Sequence, residues 1–242
     1  MNVIPFSHPK KPLMIAHRGA SGLESENTAA AFVAAGNRSY FGIETDVHKT
    51  ADGQYILIHD DNTERVTGVS HVVEETDLAT LRALRVLDVP TGGPGRGDLV
   101  LPTLREYARI CLRYGKTAVL ELKNAFTREE VLEIAGILEE EGALSAVIFI
   151  SFCYQNLLYL REKYPAQPAQ FLVGKKVPDD LCKRLIKDKT DLDIYHGSLT
   201  FDMVRCLHEN GRKVNVWTVN TPEVATRVAD MGVDFITTNI LE

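Results

Sequence analysis

Short apolar runs recur along the whole chain, each followed by a stretch that carries a helix-starting signal. The runs are Leu13 to Ala16, Phe41 to Val47, Thr117 to Leu122, Val147 to Ser151, Ala169 to Val173, Leu192 to Tyr195, Lys213 to Val219 and Val233 to Thr237. Strands that are apolar on both faces belong to parallel sheets covered by helices. Eight βα steps within 242 residues predict a closed (β/α)8 TIM barrel and not an open doubly wound sheet. Seven helices fit between the strands. The eighth is expected to be short or absent, because only Asn239 to Glu242 follow the last run.

Local signals place most boundaries. Thr103 with Glu106 and Thr127 with Glu130 are capping boxes. Glycines at 36, 115, 142, 211 and 232 close helices. Further helices are expected over Tyr154 to Lys163, Pro178 to Lys189 and Thr200 to Asn210, and one starts at Thr221-Pro222-Glu223. Asp52-Gly53 is a turn leading to a short third run, Tyr55 to Ile58. Between Asp60 and Leu101 the alternation stops and polar residues dominate, with TGGPGRG at 91–97 reading as loop. This segment is a small insertion after the second strand, too polar for a core of its own, so residues 1–242 are expected to form a single barrel domain.

The net charge of −6 gives no electrostatic case for nucleic acid. The N-terminus lacks the apolar core of a signal peptide, and no run approaches a membrane span of ~18 apolar residues. The expectation is a cytoplasmic protein without stable membrane association. Four cysteines, none in a Cys-x-x-Cys pair, read as buried reduced thiols.

The chemistry gathers at strand ends, where barrel enzymes put their sites. Residues two apart on a strand share a face. Glu44 and Asp46 therefore point together, as do Glu121 and Lys123, while the apolar residues between them face the helices. Three carboxylates converging at one rim repel one another unless a cation joins them. As hard oxygen ligands, Glu44, Asp46 and Glu121 suit Mg²⁺ or Ca²⁺, and no cysteine or spaced histidine pair argues for zinc. The bland alternative is a set of structural ion pairs with Arg18 and Lys123. Arg18 offers a planar fork to an anionic phosphate, and Lys123 a compact second charge. His17 and His59 each follow a strand and suit acid–base work near neutral pH. His8, His71, His196 and His208 read as structural. Trp217 and Phe152, at or just past strand ends, are candidates to line a substrate pocket.

His17-Arg18-Gly19, Glu26-Asn27-Thr28 with Ala31-Phe32, Glu44-x-Asp46-Val47, Asp52-Gly53 with His59-Asp60, Glu121-x-Lys123, WTVN at 217–220 and GVDFITTN at 232–239 together resemble the glycerophosphodiester phosphodiesterase family. The resemblance spans nearly the whole chain. It implies the barrel and the insertion. It also implies a divalent metal on Glu44, Asp46 and Glu121, with His17 and His59 as the acid–base pair and Arg18 and Lys123 on the phosphate. The implied substrate is a small glycerophosphodiester such as glycerophosphocholine or glycerophosphoethanolamine, cut to sn-glycerol 3-phosphate and an alcohol. The glycerol 2-hydroxyl is the implied nucleophile, through a cyclic phosphate. Two departures stand out: Ser25 replaces the family's proline before Glu-Asn-Thr, and the final helix is missing.

Other readings are a phospholipase D-like phosphodiesterase on lysolipids, a non-catalytic phosphate-binding barrel, and an aldolase or isomerase with Lys123 as a Schiff-base lysine. The first wants an apolar membrane-touching loop, which the polar 60–101 segment does not offer. The second is expected to lack a histidine or a carboxylate. The third needs an apolar setting for Lys123, which instead stands two residues from Glu121. Oligomeric state is left open.

Overall fold

The computed structural model describes residues 2–88, 93 and 95–242. Strands are β1 (Leu13–Ala16), β2 (Gly42–Lys49), β3 (Tyr55–Leu57), β4 (Thr117–Leu122), β5 (Val147–Ser151), β6 (Ala169–Val173), β7 (Asp191–Tyr195), β8 (Val214–Trp217) and β9 (Phe235–Thr238). Helices are α1 (Ala29–Gly36), α2 (Glu64–Thr67), α3 (Leu78–Ala83), α4 (Leu104–Tyr114), α5 (Arg128–Glu140), α6 (Tyr154–Lys163), α7 (Leu181–Lys187), α8 (Phe201–Glu209) and α9 (Pro222–Asp230). All strands but β3 pair in parallel around a ring, and Ile15↔Gly42 and Ala16↔Ile43 close it between β1 and β2. The fold is a (β/α)8 barrel.

Alternation along each strand sorts the apolar residues into two layers. Ile15, Val119, Ile148, Ile150, Leu172 and Phe235 pack inside the ring. Ile43, Val47, Leu120, Leu122, Phe149, Val216 and Ile236 face outward against the helices. Burying one such side chain stabilises the fold by roughly 1.5–3 kcal/mol. Both capping boxes form: Glu106 and Glu130 accept from the backbone N–H of Thr103 and Thr127 at 2.7 and 2.8 Å.

β3 is antiparallel to β2 and lies outside the ring, with Val47↔Leu57 and Lys49↔Tyr55 in register. Its hairpin carries the chain back toward the rim. The 60–101 segment then differs from its sequence reading. It holds α2, a 3₁₀ turn at Val73–Glu75 and α3, and it has a small core: Val66, Val73, Leu81, Val86, Leu99 and Leu101 pack with Ile56 and Ile58. These apolar residues stand mostly singly in a polar sequence, so no period announces them. Three short turns aim them at one place. Residues 91, 92 and 94 of the expected loop lie outside the described residues. Ser25, in place of the family's proline, is buried and donates to the Leu87 carbonyl at 2.7 Å, tying this segment to the barrel.

Three smaller readings change. Helix α7 starts at Leu181 and not Pro178, because residues 178–180 are exposed and Leu181 is the first buried anchor. Of the four cysteines only Cys111 is buried; Cys153, Cys182 and Cys206 are half-buried. Gly36 is the last residue of α1; the cap is Asn37 at φ −80°, so this helix ends without a left-handed residue. The smallness of Gly36 serves packing: a Cβ there would lie 2.5 Å from Cγ of Tyr114 on α4.

No helix follows β9 among the described residues. The N-terminal segment covers the seam instead. Ile4 bridges Leu241, Phe6 N–H donates to the Glu242 carbonyl at 2.6 Å, and Phe6 and Leu241 are both buried. None of the described helices is long and apolar enough to cross a membrane.

Gly36→Ala tests the α1–α4 contact. Helix propensity alone favours alanine by up to about 1 kcal/mol, whereas overpacking costs roughly 1–3 kcal/mol. The expected result in urea unfolding is a net loss of ~1–2 kcal/mol; unchanged stability would mean that the Tyr114 ring yields freely.

Candidate active site

The rim of the barrel is shaped first by the turn after β1. Arg18 and Gly19 are consecutive residues in the left-handed region, at φ 55° and 78°. A Cβ on residue 19 would meet the Ala31 backbone carbon at 2.6 Å, so only glycine fits against α1. An arginine in that conformation costs roughly 1–2 kcal/mol. The turn is held by Arg18 N–H donating to Glu44 Oε2 at 2.8 Å and Asn27 N–H donating to the Arg18 carbonyl at 3.0 Å. It leaves His17 facing inward, its Nδ1 2.7 Å from Asn239 Oδ1 beyond β9. Burial above all, then the Arg18 charge, lowers the His17 pKa to about 4, so this ring is neutral near pH 7.

Glu44 and Asp46 project inward from β2, and Glu121 projects from β4, where Asp46↔Glu121 are register partners. One oxygen from each of the three lies within 4.8 Å of the others, and all three residues are buried. Burial raises the Glu44 carboxyl well above the usual range, and Asp46 and Glu121 add to it. Burial, then Asp46, pushes Glu121 up to about 8. Asp46 ends at about 2: burial alone would raise it, but Lys123 and Arg18 together outweigh that. Lys123 Nζ stands 3.0 Å from Glu121 and 3.5 Å from Asp46, and Arg18 Nε 3.6 Å from Asp46. Asn27 donates to Asp46 at 2.8 Å and accepts from Thr45 at 2.7 Å, which fixes the carboxylate's angle. Two local cations leave two of three carboxyls displaced toward their protonated forms. An all-oxygen set with uncompensated charge fits a hard divalent cation.

His59 arrives from outside the ring. The β2–β3 hairpin ends with Ile58 N–H donating to the Asp46 carbonyl at 3.1 Å, which sets His59 at the rim. Its Nδ1 lies 2.6 Å from Asp60 Oδ1. Asp60 also accepts from Arg65 on α2, Arg65 donates to Glu26, and Glu26 accepts from Arg18 Nη1 at 2.9 Å. Alternating charges thus run from Asp60, beside the His59 ring, to Arg18, while Arg18 Nε stays buried with no hydrogen-bond partner among the described residues.

His17, Arg18, Glu44, His59, Glu121, Phe152 and Trp217 line one cavity of about 410 Å³, its open mouth included. Lys123 and Asp46 join it through the contacts above. Phe152, 46% exposed, meets Trp217 edge-on at 5.7 Å between centroids. All nine candidate residues therefore gather at one rim. His8 and His208 pair with Asp230 and Asp234 elsewhere. Sequence reasoning assigned no role to Glu26, Asn27, Asp60, Arg65 and Asn239, which orient the candidates. Four of these stand inside the strings that carried the family resemblance, and Arg65 had no signal.

A profile of the Glycerophosphoryl diester phosphodiesterase family matches residues 17–242. The Bacillus subtilis protein YhdW is 32% identical over 233 residues, 93% of each chain. A glycerophosphodiester phosphodiesterase of Caldanaerobacter subterraneus is 28% identical, covering 95% of this chain and 94% of that one. Among solved structures, an Oleispira antarctica phosphodiesterase in complex with the product sn-glycerol-3-phosphate superposes with TM-score 0.85 at 27% identity, over 95% and 93% of the two chains.

The carboxyl shifts set a stability profile. Glu121 holds its proton up to about 8 when folded but only to 4.5 unfolded, so metal-free protein loses stability as pH rises through that interval. His17, lowered from 6.5 to about 4, opposes this only below pH 6.5. Between pH 6.5 and about 8 the melting temperature of metal-free protein should fall, and Mg²⁺ or Ca²⁺ should raise it most at the alkaline end. Melting that ignores both pH and cation would count against a metal on these carboxylates.

Proposed function

This chain belongs to the glycerophosphoryl diester phosphodiesterase family, and on that premise we propose that it hydrolyses glycerophosphodiesters to sn-glycerol 3-phosphate and an alcohol, using a divalent metal and two histidines. The observation that carries the reading is the shared cavity: two imidazoles, three carboxylates and an arginine line or reach it.

The phosphodiester lies with its oxygens toward Arg18 and Lys123. Arg18 Nε is a buried donor without a hydrogen-bond partner among the described residues, suited to a phosphate oxygen. Glu44, Asp46 and Glu121 would hold Mg²⁺ or Ca²⁺, which supplies charge neutralisation to the phosphoryl oxygens. His17, neutral and with Asn239 on its Nδ1, takes the proton from the glycerol 2-hydroxyl as that oxygen bonds to phosphorus. His59, oriented by Asp60, gives a proton to the departing alcohol oxygen as its bond to phosphorus breaks. In the second half the histidines exchange roles: one activates water to open the cyclic phosphate and the other returns the proton to the 2-oxygen. Phe152 and Trp217 form an edge-to-face wall at the mouth that suits a choline or ethanolamine headgroup. The cavity of about 410 Å³ supports a small deacylated substrate over a lysolipid. We place the protein in the cytoplasm, as a single barrel domain acting on a small molecule without nucleic acid.

The test is a coupled assay for released glycerol 3-phosphate over a panel of glycerophosphodiesters. Chelation should abolish turnover, and Mg²⁺ or Ca²⁺ should restore it; full activity in chelator removes the metal from the mechanism. His17→Ala and His59→Ala should each lower kcat by roughly 10²–10⁴-fold with melting temperature little changed. A variant with near wild-type kcat takes that histidine out of the reaction.

A further inference from the structure

β7 carries an inward carboxyl that the reaction above leaves without a task. Asp193 is 1% exposed and lines the same cavity as His17 and Glu121. It pairs across the sheet with Leu172 on one side and Asn215 on the other. Its Oδ1 is buried with no hydrogen-bond partner among the described residues. The neighbouring Asn215 amide donates to Gln170 at 3.3 Å, accepts from Thr237 at 3.2 Å and also hydrogen-bonds the Asp193 carboxyl, which leaves Oδ1 as the unsatisfied oxygen. Ile150 and Leu172, also in the cavity wall, offer no donor. Buried polar atoms are nearly always satisfied, so one that is not, in a ligand cavity, points to a ligand.

Depth decides which part of the substrate it meets. Tyr195 is the register partner of Trp217, so Asp193 lies two residues deeper along β7 than the aromatic wall. A phosphate held by Arg18 and Lys123 sends one ester arm to the mouth and the other to the floor. On the reading that this cavity cleaves glycerophosphodiesters, we propose that Asp193 is a specificity-determining residue that takes a hydroxyl of the substrate's glycerol arm. Burial holds its carboxyl well above the usual range. The acid form both donates and accepts, as a hydroxyl does, and it gives an ammonium headgroup no ion pair.

The experiment is calorimetry on the full chain supplied with Mg²⁺, using sn-glycerol 3-phosphate, propyl phosphate and inorganic phosphate. Wild-type protein should bind glycerol 3-phosphate at least ~10-fold more tightly than propyl phosphate, because a site built for a hydroxyl rejects the analogue without it. Asp193→Leu should reduce that preference to within about 2-fold and leave phosphate affinity within about 2-fold, the effect of losing one buried hydrogen bond, whereas Asp193→Asn, which keeps a donor and an acceptor, should retain most of it. A preference that survives in Asp193→Leu overturns the assignment, as does an equal loss for phosphate. The wild-type comparison stands even where a variant fails to fold: no preference over propyl phosphate overturns the assignment by itself. A retained preference in a protein that cleaves no glycerophosphodiester would instead sink the reading of the reaction and leave Asp193 as a hydroxyl site.

Discussion

Everything at the rim follows from crowding three carboxyl groups within 4.8 Å of one another inside a protein. At that spacing each charged pair repels by roughly 3–4 kcal/mol at an effective dielectric near 20. The fold offsets only part of this. Asp46 receives Lys123, Arg18 and the Asn27 amide, and it alone of the three is held ionised across ordinary pH. Glu44 has a backbone N–H, and Glu121 has Lys123. A set built for stability would have matched these charges or replaced them with apolar side chains. The imbalance fits a site that could hold a cation, and the left-handed turn at position 18 serves the same cluster: it brings the Arg18 N–H to Glu44 and its side chain to Asp46.

The two histidines are treated unequally. His17 grows out of a ring strand, is half-buried in the cavity wall, and has an amide oxygen on Nδ1. His59 grows out of a hairpin arm beside the ring, stays partly exposed, and has a carboxylate on Nδ1. Different partners fix the two rings in different surroundings, an arrangement that suits the proposed division into proton acceptor and proton donor. The chain Arg18–Glu26–Arg65–Asp60–His59 ties the Arg18 side of the rim to the hairpin side.

The barrel was legible because its signals are local and repeated. Alternation placed Glu44, Asp46 and Glu121 on inward faces without any coordinates, and the two Thr-x-x-Glu boxes marked helix starts to the residue. What escaped notice depends on distance through space. Val66, Val73, Leu81, Val86, Leu99 and Leu101 make a core only after three turns fold them together, so composition alone read them as polar insertion. Gly36 looked like a stop signal because nothing in its neighbourhood names Tyr114. Asn239 is 222 residues from His17 and becomes its partner only when β9 closes beside β1.

One feature of the layout bears on how such an enzyme changes over time. The eight ring strands fix the carboxylates, Arg18 and His17, whereas His59 rides on a hairpin that no ring pairing crosses. The 60–101 excursion begins immediately after it. Lengthening, shortening or exchanging that excursion breaks none of the ring's hydrogen-bond ladders. The ring's carboxylates and the arm's short helices are therefore inherited on separable pieces of chain, joined at the rim by the Arg65 contacts to Glu26 and Asp60.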